Sequence, residues 1–267
     1  MAEGWKYALN SPIFAAIRPW IERLPPQRFP GLDDLNALAT TAMRSGGGAH
    51  LRFVPPAPAG QRAEHYEIGI FETGEAPTRP DNWHDLFNAL VWLAFPKTKS
   101  VINRHHREQI LARHGEKTRG TARDVLTLFD EGGIIVACAD PGLSALLRES
   151  RWKALFWETR DAARRSMRFH VFGHAIYEKA LQPYKGVTAK ALIVETDQAL
   201  LSAPLAQQLA VLDARSAEHF SSVGALASTR SLPPLPILGV PGWEPANERG
   251  DYYDDVSQFR PARAAVE

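Results

Sequence analysis

The chain has 267 residues, which is enough to bury a large hydrophobic core, and its apolar (45%) and charged (23%) fractions are typical of globular proteins. Its 31 basic and 30 acidic residues leave a formal net charge of +1, so the overall charge does not indicate binding to nucleic acid or to an anionic membrane. The single cysteine, Cys138, excludes an intramolecular disulfide and a cysteine-rich metal site.

Localisation is predicted from three features of the sequence. The lone cysteine suits a reducing compartment. The N-terminal residues lack the apolar segment of a signal peptide. No window has the roughly 18 consecutive apolar residues of a membrane span. We therefore expect a cytoplasmic protein that does not cross a membrane.

Residues 1–80 are predicted to contain short helices and two strands. Apolar side chains at helical spacing indicate a helix over 12–23, and Asp33 lies at the start of a second one. Residues 51–54 and 65–71 are predicted as strands, the second because its apolar residues alternate.

Residues 81–231 are predicted to form a helical core with two further strands. Almost every residue from Leu86 to Phe95 is apolar, which indicates a helix buried on most sides. Further helices are predicted from their periodicity and caps over 99–113 (with Thr98 as cap), 121–130, about 143–181 (one helix or two in sequence) and about 202–227. Short apolar runs predict buried strands at 134–139 and 190–194.

The tail, residues 232–267, is rich in proline and aromatic residues. Aromatic side chains are scarce in disordered segments, so we expect an extended tail that packs across the rest of the chain. The element order lacks a regular strand–helix–strand series. It predicts one α+β domain that is predominantly helical, with a small mixed sheet of about four short strands.

Several unusual strings of residues occur in one order along the chain. They are NWHDLFN at 82–88, DEGG at 130–133, FGHAIYEK at 172–179, PLPILGVPGW at 234–243 and YDDVSQFRP at 253–261. Together they resemble the bacterial family known as domain of unknown function 3025, over about residues 80–261. The resemblance implies a bacterial intracellular protein, but it implies no reaction.

The polar cluster that opens the helix at residue 82 divides into two parts. Asn82 is predicted to cap the helix, and the Asp85 carboxylate is predicted to bind the Asn82 backbone N–H. His84 and Asn88 share one face of an otherwise apolar helix and have no such explanation. They are therefore candidate catalytic residues, and the alternative is a pair of hydrogen-bonded core side chains.

Two other residues are candidates for the same catalytic site. His106 is predicted to face inward from its helix, close to His84. Glu131 lies at a helix C-terminus, where a negative charge opposes the helix dipole. Histidine would transfer protons near neutral pH while carboxylates orient it. A half-buried histidine and a solvated turn are the alternatives.

A candidate metal site is predicted further along the chain. His170, His174 and Glu178 are spaced at i, i+4 and i+8, so on one helix they would project from a single stripe and could hold a divalent metal ion. The zincin motif has a glutamate directly after its first histidine, whereas this chain has Val171. A surface stripe without metal is the alternative, and the cofactor stays open.

A candidate anion-binding face is formed by Arg160, Arg164 and Arg168, which recur every four residues. A solvated basic face is the alternative. The sequence contains neither a glycine-rich phosphate loop nor a Gly-x-Ser-x-Gly elbow, which disfavours nucleotide-dependent chemistry and serine hydrolysis of that type.

Three functional hypotheses follow. The first is an enzyme that uses the polar cluster around His84, with His106, Glu131 and His174, for acid–base or metal-assisted hydrolytic chemistry on a small polar or acidic substrate. The second is a non-catalytic protein that binds an anionic ligand. The third is a scaffold or assembly protein, including a homo-oligomer, that docks through its tail.

Overall fold

The computed structural model describes residues 5–56, 63–112 and 120–261. Its α-helices are α1 (Arg18–Ile21), α2 (Leu32–Leu38), α3 (Ala63–Thr73), α4 (Trp83–Ala94), α5 (Pro96–Ala112), α6 (Thr121–Gly132), α7 (Pro141–Arg148), α8 (Arg160–Ser166), α9 (His174–Ala180), α10 (Gln198–Ser202) and α11 (Leu205–Ser221). Its strands are β1 (Arg52–Val54), β2 (Glu75–Pro77), β3 (Gly133–Cys138), β4 (Met167–Val171), β5 (Thr188–Glu195) and β6 (Pro234–Pro236). A π-helical turn spans Ala154–Glu158.

The strands form two small sheets. The larger is mixed and has the order β4-β3-β5-β6, in which β3 runs parallel to β5 and antiparallel to β4, while β6 is antiparallel to β5. β1 and β2 form a separate parallel pair. Every residue of the central strand β3 is buried, which explains its continuous apolar run. The fold is α+β, as predicted.

Helix α4 lies in the hydrophobic core, which draws residues from Leu9 to Phe259. All its residues from Leu86 to Ala94 are buried except Asn88, which is half-buried, so the predicted buried helix is confirmed. Burial of this many large apolar side chains is the main force that fixes the position of α4.

The N-terminus of α5 is capped from a distant helix. The Asp213 carboxylate on α11 accepts hydrogen bonds from the backbone N–H groups of Lys97 (3.0 Å) and Thr98 (2.8 Å). A carboxylate at this position satisfies unpaired donors and interacts favourably with the helix dipole. The prediction that Thr98 caps this helix is wrong, because the helix already begins at Pro96.

Two predicted elements have a different secondary structure. Residues 65–71, predicted as a strand, lie within α3. Residues 143–181, predicted as one long helix or two, are interrupted by β4, which pairs with β3. In both cases tertiary packing overrides the local pattern.

The described part of the tail, residues 232–261, packs onto the core, and much of it is 3-10 helix rather than the extended chain that was predicted. Asn247 is fully buried and donates hydrogen bonds to the carbonyls of Leu238 (2.9 Å) and Val240 (2.8 Å). Tyr253 and Phe259 are also buried. Among the described residues, no helix has the length and apolar character needed to cross a membrane.

Candidate metal centre

Three helix ends meet beside the larger sheet. The first turn of α4 carries His84, the last turn of α6 carries Asp130 and Glu131, and α9 begins with His174. Ligand atoms of His84, His174 and Glu131 all lie within 4.8 Å of one another. Residues that are far apart in the sequence therefore form one cluster.

His84 is oriented by the start of α4 and by a carboxylate from α9. Asn82 caps the helix as predicted, accepting a hydrogen bond from the Asp85 N–H at 3.0 Å. The His84 Nδ1 lies 2.9 Å from Glu178 Oε2. An ionised carboxylate only accepts hydrogen bonds, so the Nδ1–H of His84 donates to Glu178. This tautomer leaves the Nε2 lone pair of His84 directed at His174.

The prediction that the Asp85 carboxylate binds the Asn82 N–H is wrong. Its carboxylate accepts hydrogen bonds from the Arg79 backbone N–H (2.7 Å) and guanidinium group (2.8 and 2.9 Å) rather than from the Asn82 N–H. Burial acts to raise the pKa of Asp85, but the hydrogen bonds from Arg79 outweigh it and hold that pKa below its usual value. Asp85 therefore anchors the loop before α4.

His174 is buried, with 5% of its side chain exposed. Its Nε2 lies 3.1 Å from His84 Nε2 and 3.4 Å from Glu131 Oε2. The two imidazole rings meet edge to face, with centroids 4.5 Å apart. Two ring nitrogens at this distance repel each other through their lone pairs unless a proton or a cation lies between them.

Gly173 allows α9 to begin this close to α6. Its N–H donates to the Gly133 carbonyl at 2.8 Å. A Cβ atom at residue 173 would lie 2.5 Å from the Glu131 carbonyl oxygen and 2.5–2.6 Å from the backbone nitrogens of Gly133 and Gly132. Only glycine fits this close approach of backbone to backbone.

Behind the cluster lies a buried ion pair. Lys99 Nζ, with 6% of its side chain exposed, donates to Asp130 Oδ1 at 2.7 Å and to Asn88 Oδ1 at 2.9 Å. The other Asp130 oxygen lies 3.8 Å from His174 Nδ1. Burial acts to raise the pKa of Asp130, but the Lys99 charge, with a further contribution from the nearby His174 ring and the hydrogen bond from Lys99, outweighs it and holds that pKa below its usual value. Asp130 is therefore an ionised group behind His174.

The donor atoms fit a divalent cation. Metal–ligand bonds of about 2.0–2.1 Å in a tetrahedral site place the donors about 3.3 Å apart. The two separations of His174 Nε2, from His84 and from Glu131, are close to this value, and all three donors lie within 4.8 Å of one another. Contact with the His174 ring holds the pKa of Glu131 below its usual value, so this ligand carries a negative charge. Glu178 and Asp130 lie behind the two histidines, where outer carboxylates orient metal-binding rings.

The structure separates the predicted catalytic residues. His84 and Glu131 lie in the cluster, whereas the Asn88 side chain holds Lys99 and donates to the Tyr66 hydroxyl at 3.0 Å. No hydrogen bond joins His106 to His84 within the described part of the chain, and burial lowers the pKa of His106.

The predicted metal stripe is also divided. His174 and Glu178 lie on α9 and both contact His84, but His170 lies on β4, so the three residues do not share a helix. Glu178 contacts the Nδ1 of His84, on the far side of the ring from His174. The cluster therefore uses one histidine of the predicted stripe, His174, together with a histidine from α4.

The three arginines differ in their surroundings. Arg160 is buried and donates to Asn247 and Glu248, so it fixes the tail instead of facing a ligand. Arg164 and Arg168 line a separate cavity. The prediction of one arginine face is therefore wrong for Arg160.

Two residues of the centre, Asp130 and Lys99, were not predicted. Asp130 directly precedes Glu131 in the DEGG string, so its position was a usable signal. Lys99 gave no signal, because a lysine near a helix start is ordinarily solvated. Its burial depends on Asn88 and Asp130, which are 11 and 31 residues away in the chain.

Fold and site together define an α+β protein with a cluster of two histidines and a carboxylate at the meeting point of three helix ends. The chain belongs to the family described as "Protein of unknown function (DUF3025)", whose family model matches residues 51–263 and so includes the whole cluster. The resemblance noted in the sequence is confirmed. No curated protein and no solved structure matches the chain.

Proposed function

We propose that this protein is a metal-dependent hydrolytic enzyme whose divalent cation is held by His84, His174 and Glu131. The proposal depends on one observation, the convergence of two imidazole Nε2 atoms and a carboxylate within 4.8 Å. Two histidines and one carboxylate are a ligand set of catalytic zinc sites and, as a facial triad, of non-haem iron(II) sites. Both kinds of site keep positions open for water and substrate.

The burial of the cluster supports a catalytic rather than a purely structural centre. His174 is buried, whereas about a third of the His84 side chain and about half of the Glu131 side chain are exposed. One side of the cluster therefore faces solvent, where a small polar substrate can approach. A structural zinc site, in contrast, is closed by four protein ligands.

A divalent cation in such a site supplies Lewis acidity, which polarises a substrate carbonyl or phosphoryl group and lowers the pKa of a bound water to about 7. The carboxylates behind the ligands position the imidazole rings. Glu178 retains the proton on Nδ1 of His84, and Asp130 lies behind Nδ1 of His174. The Nε2 atom of His84 is thereby kept available as a ligand, whereas the Nδ1 of His174 lies 3.8 Å from the Asp130 carboxylate and has no hydrogen-bond partner among the described residues.

The first experiment tests the metal. The purified protein should be analysed by elemental mass spectrometry and titrated with Zn²⁺, Fe²⁺, Mn²⁺ and Ni²⁺ while its melting temperature is followed. We expect one equivalent of bound metal and a melting temperature that rises with metal concentration. Glu131→Gln should abolish this stabilisation, and Glu178→Gln should weaken affinity about 10–100-fold. His105→Gln, a histidine outside the cluster, is the control.

The second experiment tests the reaction. Chromogenic esters, phosphate esters and amides should be assayed with the metal-loaded protein, with the chelated protein and with Glu131→Gln. Turnover that requires both metal and Glu131 supports the proposal. Protein that binds none of the four metals, and whose melting temperature none of them changes, refutes it.

A metal-free alternative is favoured by one specific contact, the 2.9 Å pair of His84 and Glu178. A histidine oriented by a carboxylate is a general acid–base arrangement. Activity that survives chelation but is lost in His84→Gln would select this alternative.

We propose that the protein works in the cytosol of a bacterium. The single cysteine is a free, buried thiol, which is compatible with a reducing compartment. Fractionation of a bacterial host followed by immunodetection tests it, and recovery in the periplasm would contradict it.

A further inference from the structure

A second concave site lies at the other end of β4 from His174. It is a cavity of about 350 Å³ between the end of α8, strand β4, the start of α11 and residues 240–243 of the tail. This volume is at the lower end of the range for small-ligand pockets. Its lining shares no residue with the cluster of His84, Glu131 and His174.

The cavity contains a buried histidine that lacks a well-formed hydrogen bond. His170 is 5% exposed and lines the cavity beside Gln208. Within the described part of the chain neither of its ring nitrogens has a hydrogen bond of normal geometry, although the Gln208 side chain lies close enough to act against the lowering of the His170 pKa. Burial lowers the pKa of His170 to about 4, so near pH 7 the ring offers one donor and one acceptor. Leaving both unpaired is costly, and buried groups of this kind are commonly satisfied by a ligand or water.

The charged residues that line the cavity are arginines. Arg164 and Arg168 are both part of its lining, and among the described residues no aspartate or glutamate lines it. Arg168 donates to the Arg164 and Met167 carbonyls, and within the described part of the chain no carboxylate forms an ion pair with it. Arg164 shares Glu248 with Arg160. The positive charge at this edge is therefore only partly neutralised.

The rest of the lining is apolar and aromatic. The rings of Phe169 and Trp243 meet edge to face, with their centroids 6.3 Å apart. Met167, Leu205 and Val240 also line this wall. Apolar walls bury the body of a ligand, while a few polar groups fix its orientation. An arginine pair beside such a wall suits a ligand with one anionic end, because guanidinium groups bind carboxylate and phosphate well.

From these observations we infer that this cavity binds a small organic anion, an apolar or aromatic body that carries one carboxylate or phosphate group. The anionic end faces Arg164 and Arg168, and the His170 ring hydrogen-bonds to a polar atom of the ligand. This site is independent of the proposed metal centre.

Isothermal titration calorimetry with defined probes tests the inference. Phenylphosphate and 3-phenylpropionate represent the two anionic groups, 3-phenylpropanamide is the neutral counterpart of the carboxylate, and inorganic phosphate lacks the apolar body. We expect at least one of the two organic anions to bind with a stoichiometry of one. The amide and inorganic phosphate should bind at least about tenfold more weakly.

The matched variants locate the binding. Arg168→Gln should weaken the organic anion at least about tenfold, because it removes a charged hydrogen-bond donor. Arg52→Gln, which removes an equal charge at the exposed ion pair with Glu75, should not. His170→Leu should also weaken binding, and the surface variant Arg168→Gln keeps the test valid if the core variant does not fold. Glu131→Gln should leave anion binding unchanged even where it abolishes metal binding.

Three results would overturn the inference. The first is the lack of saturable binding of either organic anion at about 1 mM. The second is equal binding of the amide or of inorganic phosphate, which would show that charge and apolar body are not both recognised. The third is an equal loss of affinity in Arg168→Gln and Arg52→Gln, which would show attraction to overall charge.

Discussion

Replacing Gly173 by alanine should damage the metal centre without touching a ligand. The added Cβ would lie 2.5–2.6 Å from three backbone atoms of residues 131–133. These atoms belong to the end of α6 and the start of β3, so no flexible side chain can move aside. The start of α9, which carries His174, must therefore move away from the helix that carries Glu131.

The size of this displacement follows from the distances. Ordinary contacts of a Cβ atom begin at 3.4 Å, so the two backbone segments must separate by about 0.9 Å. Insertion of a methyl group into a packed site typically costs about 1–3 kcal/mol, which corresponds to a melting temperature lower by about 2–12 °C for a chain of this size. A misplacement of about 1 Å is enough to reduce activity about 100-fold.

The assay compares thermal unfolding and metal affinity of Gly173→Ala with those of Gly69→Ala. Gly69 lies in α3, and a Cβ there would meet nothing within 4 Å, so alanine should be neutral or stabilising by up to about 1 kcal/mol. We expect Gly173→Ala to lose stability and to bind metal at least about tenfold more weakly. Unchanged stability and affinity in Gly173→Ala would show that this close approach does not position His174.

Three further predictions concern buried polar groups. Lys99→Met should destabilise the protein by about 3–5 kcal/mol in urea unfolding, because it leaves the Asp130 carboxylate buried without its cation. Adding Asp130→Asn should restore much of the lost stability, and a double variant without this recovery would contradict the pairing of Lys99 with Asp130. The pKa of His170 is about 4 in the folded chain, below its ordinary 6.5. As the pH falls, the His170 ring is therefore protonated in the unfolded chain before it is protonated in the folded chain. Stability should therefore fall by up to about 3 kcal/mol as the pH is lowered from 6.5 towards 4, and an equally steep fall in His170→Gln would refute this origin. Asn247→Ala should cost at least about 2 kcal/mol and expose the tail to limited proteolysis, because Arg160 loses one of its acceptors and the Leu238 and Val240 carbonyls lose their donor. A resistant tail would argue against this anchoring role.

Elements whose signal is local were predicted correctly from the sequence. The run from Leu86 to Phe95 is apolar because α4 is buried, and residues 134–139 are apolar because β3 lies between two other strands. Asn82 was identified as a cap because its bond partner, Asp85, is three residues away. In each case the decisive interaction lies within the predicted element or follows from its full burial.

Elements that depend on a distant partner were not predicted. Residues 167–171 continued a helical pattern, yet they form β4 because β3 offers an antiparallel partner about 30 residues earlier. The apolar alternation at 65–71 suggested a strand, but α3 packs beside α5 as a helix. Local spacing does not record which surface a segment will meet.

The same limit applies to the candidate site. His84, Glu131 and His174 were each singled out for one enzyme hypothesis, but His84 was expected to lie beside His106, and His174 to share a metal stripe with His170 and Glu178. The structure joins His84 and His174 across 90 residues. The sequence therefore identified the residues of the cluster, but not which of them contact one another.

The pairing of β6 with β5 has a consequence for aggregation. The backbone of β6 bonds to β5 through Pro233 and Ile237, so in an antiparallel ladder the intervening Pro234 and Pro236 direct their nitrogen atoms outward. Proline has no N–H to donate, so this outer edge of the sheet lacks the donors that an incoming strand would require at the exposed Pro234 and at the buried Pro236. The prolines of β6 thus hinder a strand of another chain from adding to this edge of the sheet, which is a common route to fibrils.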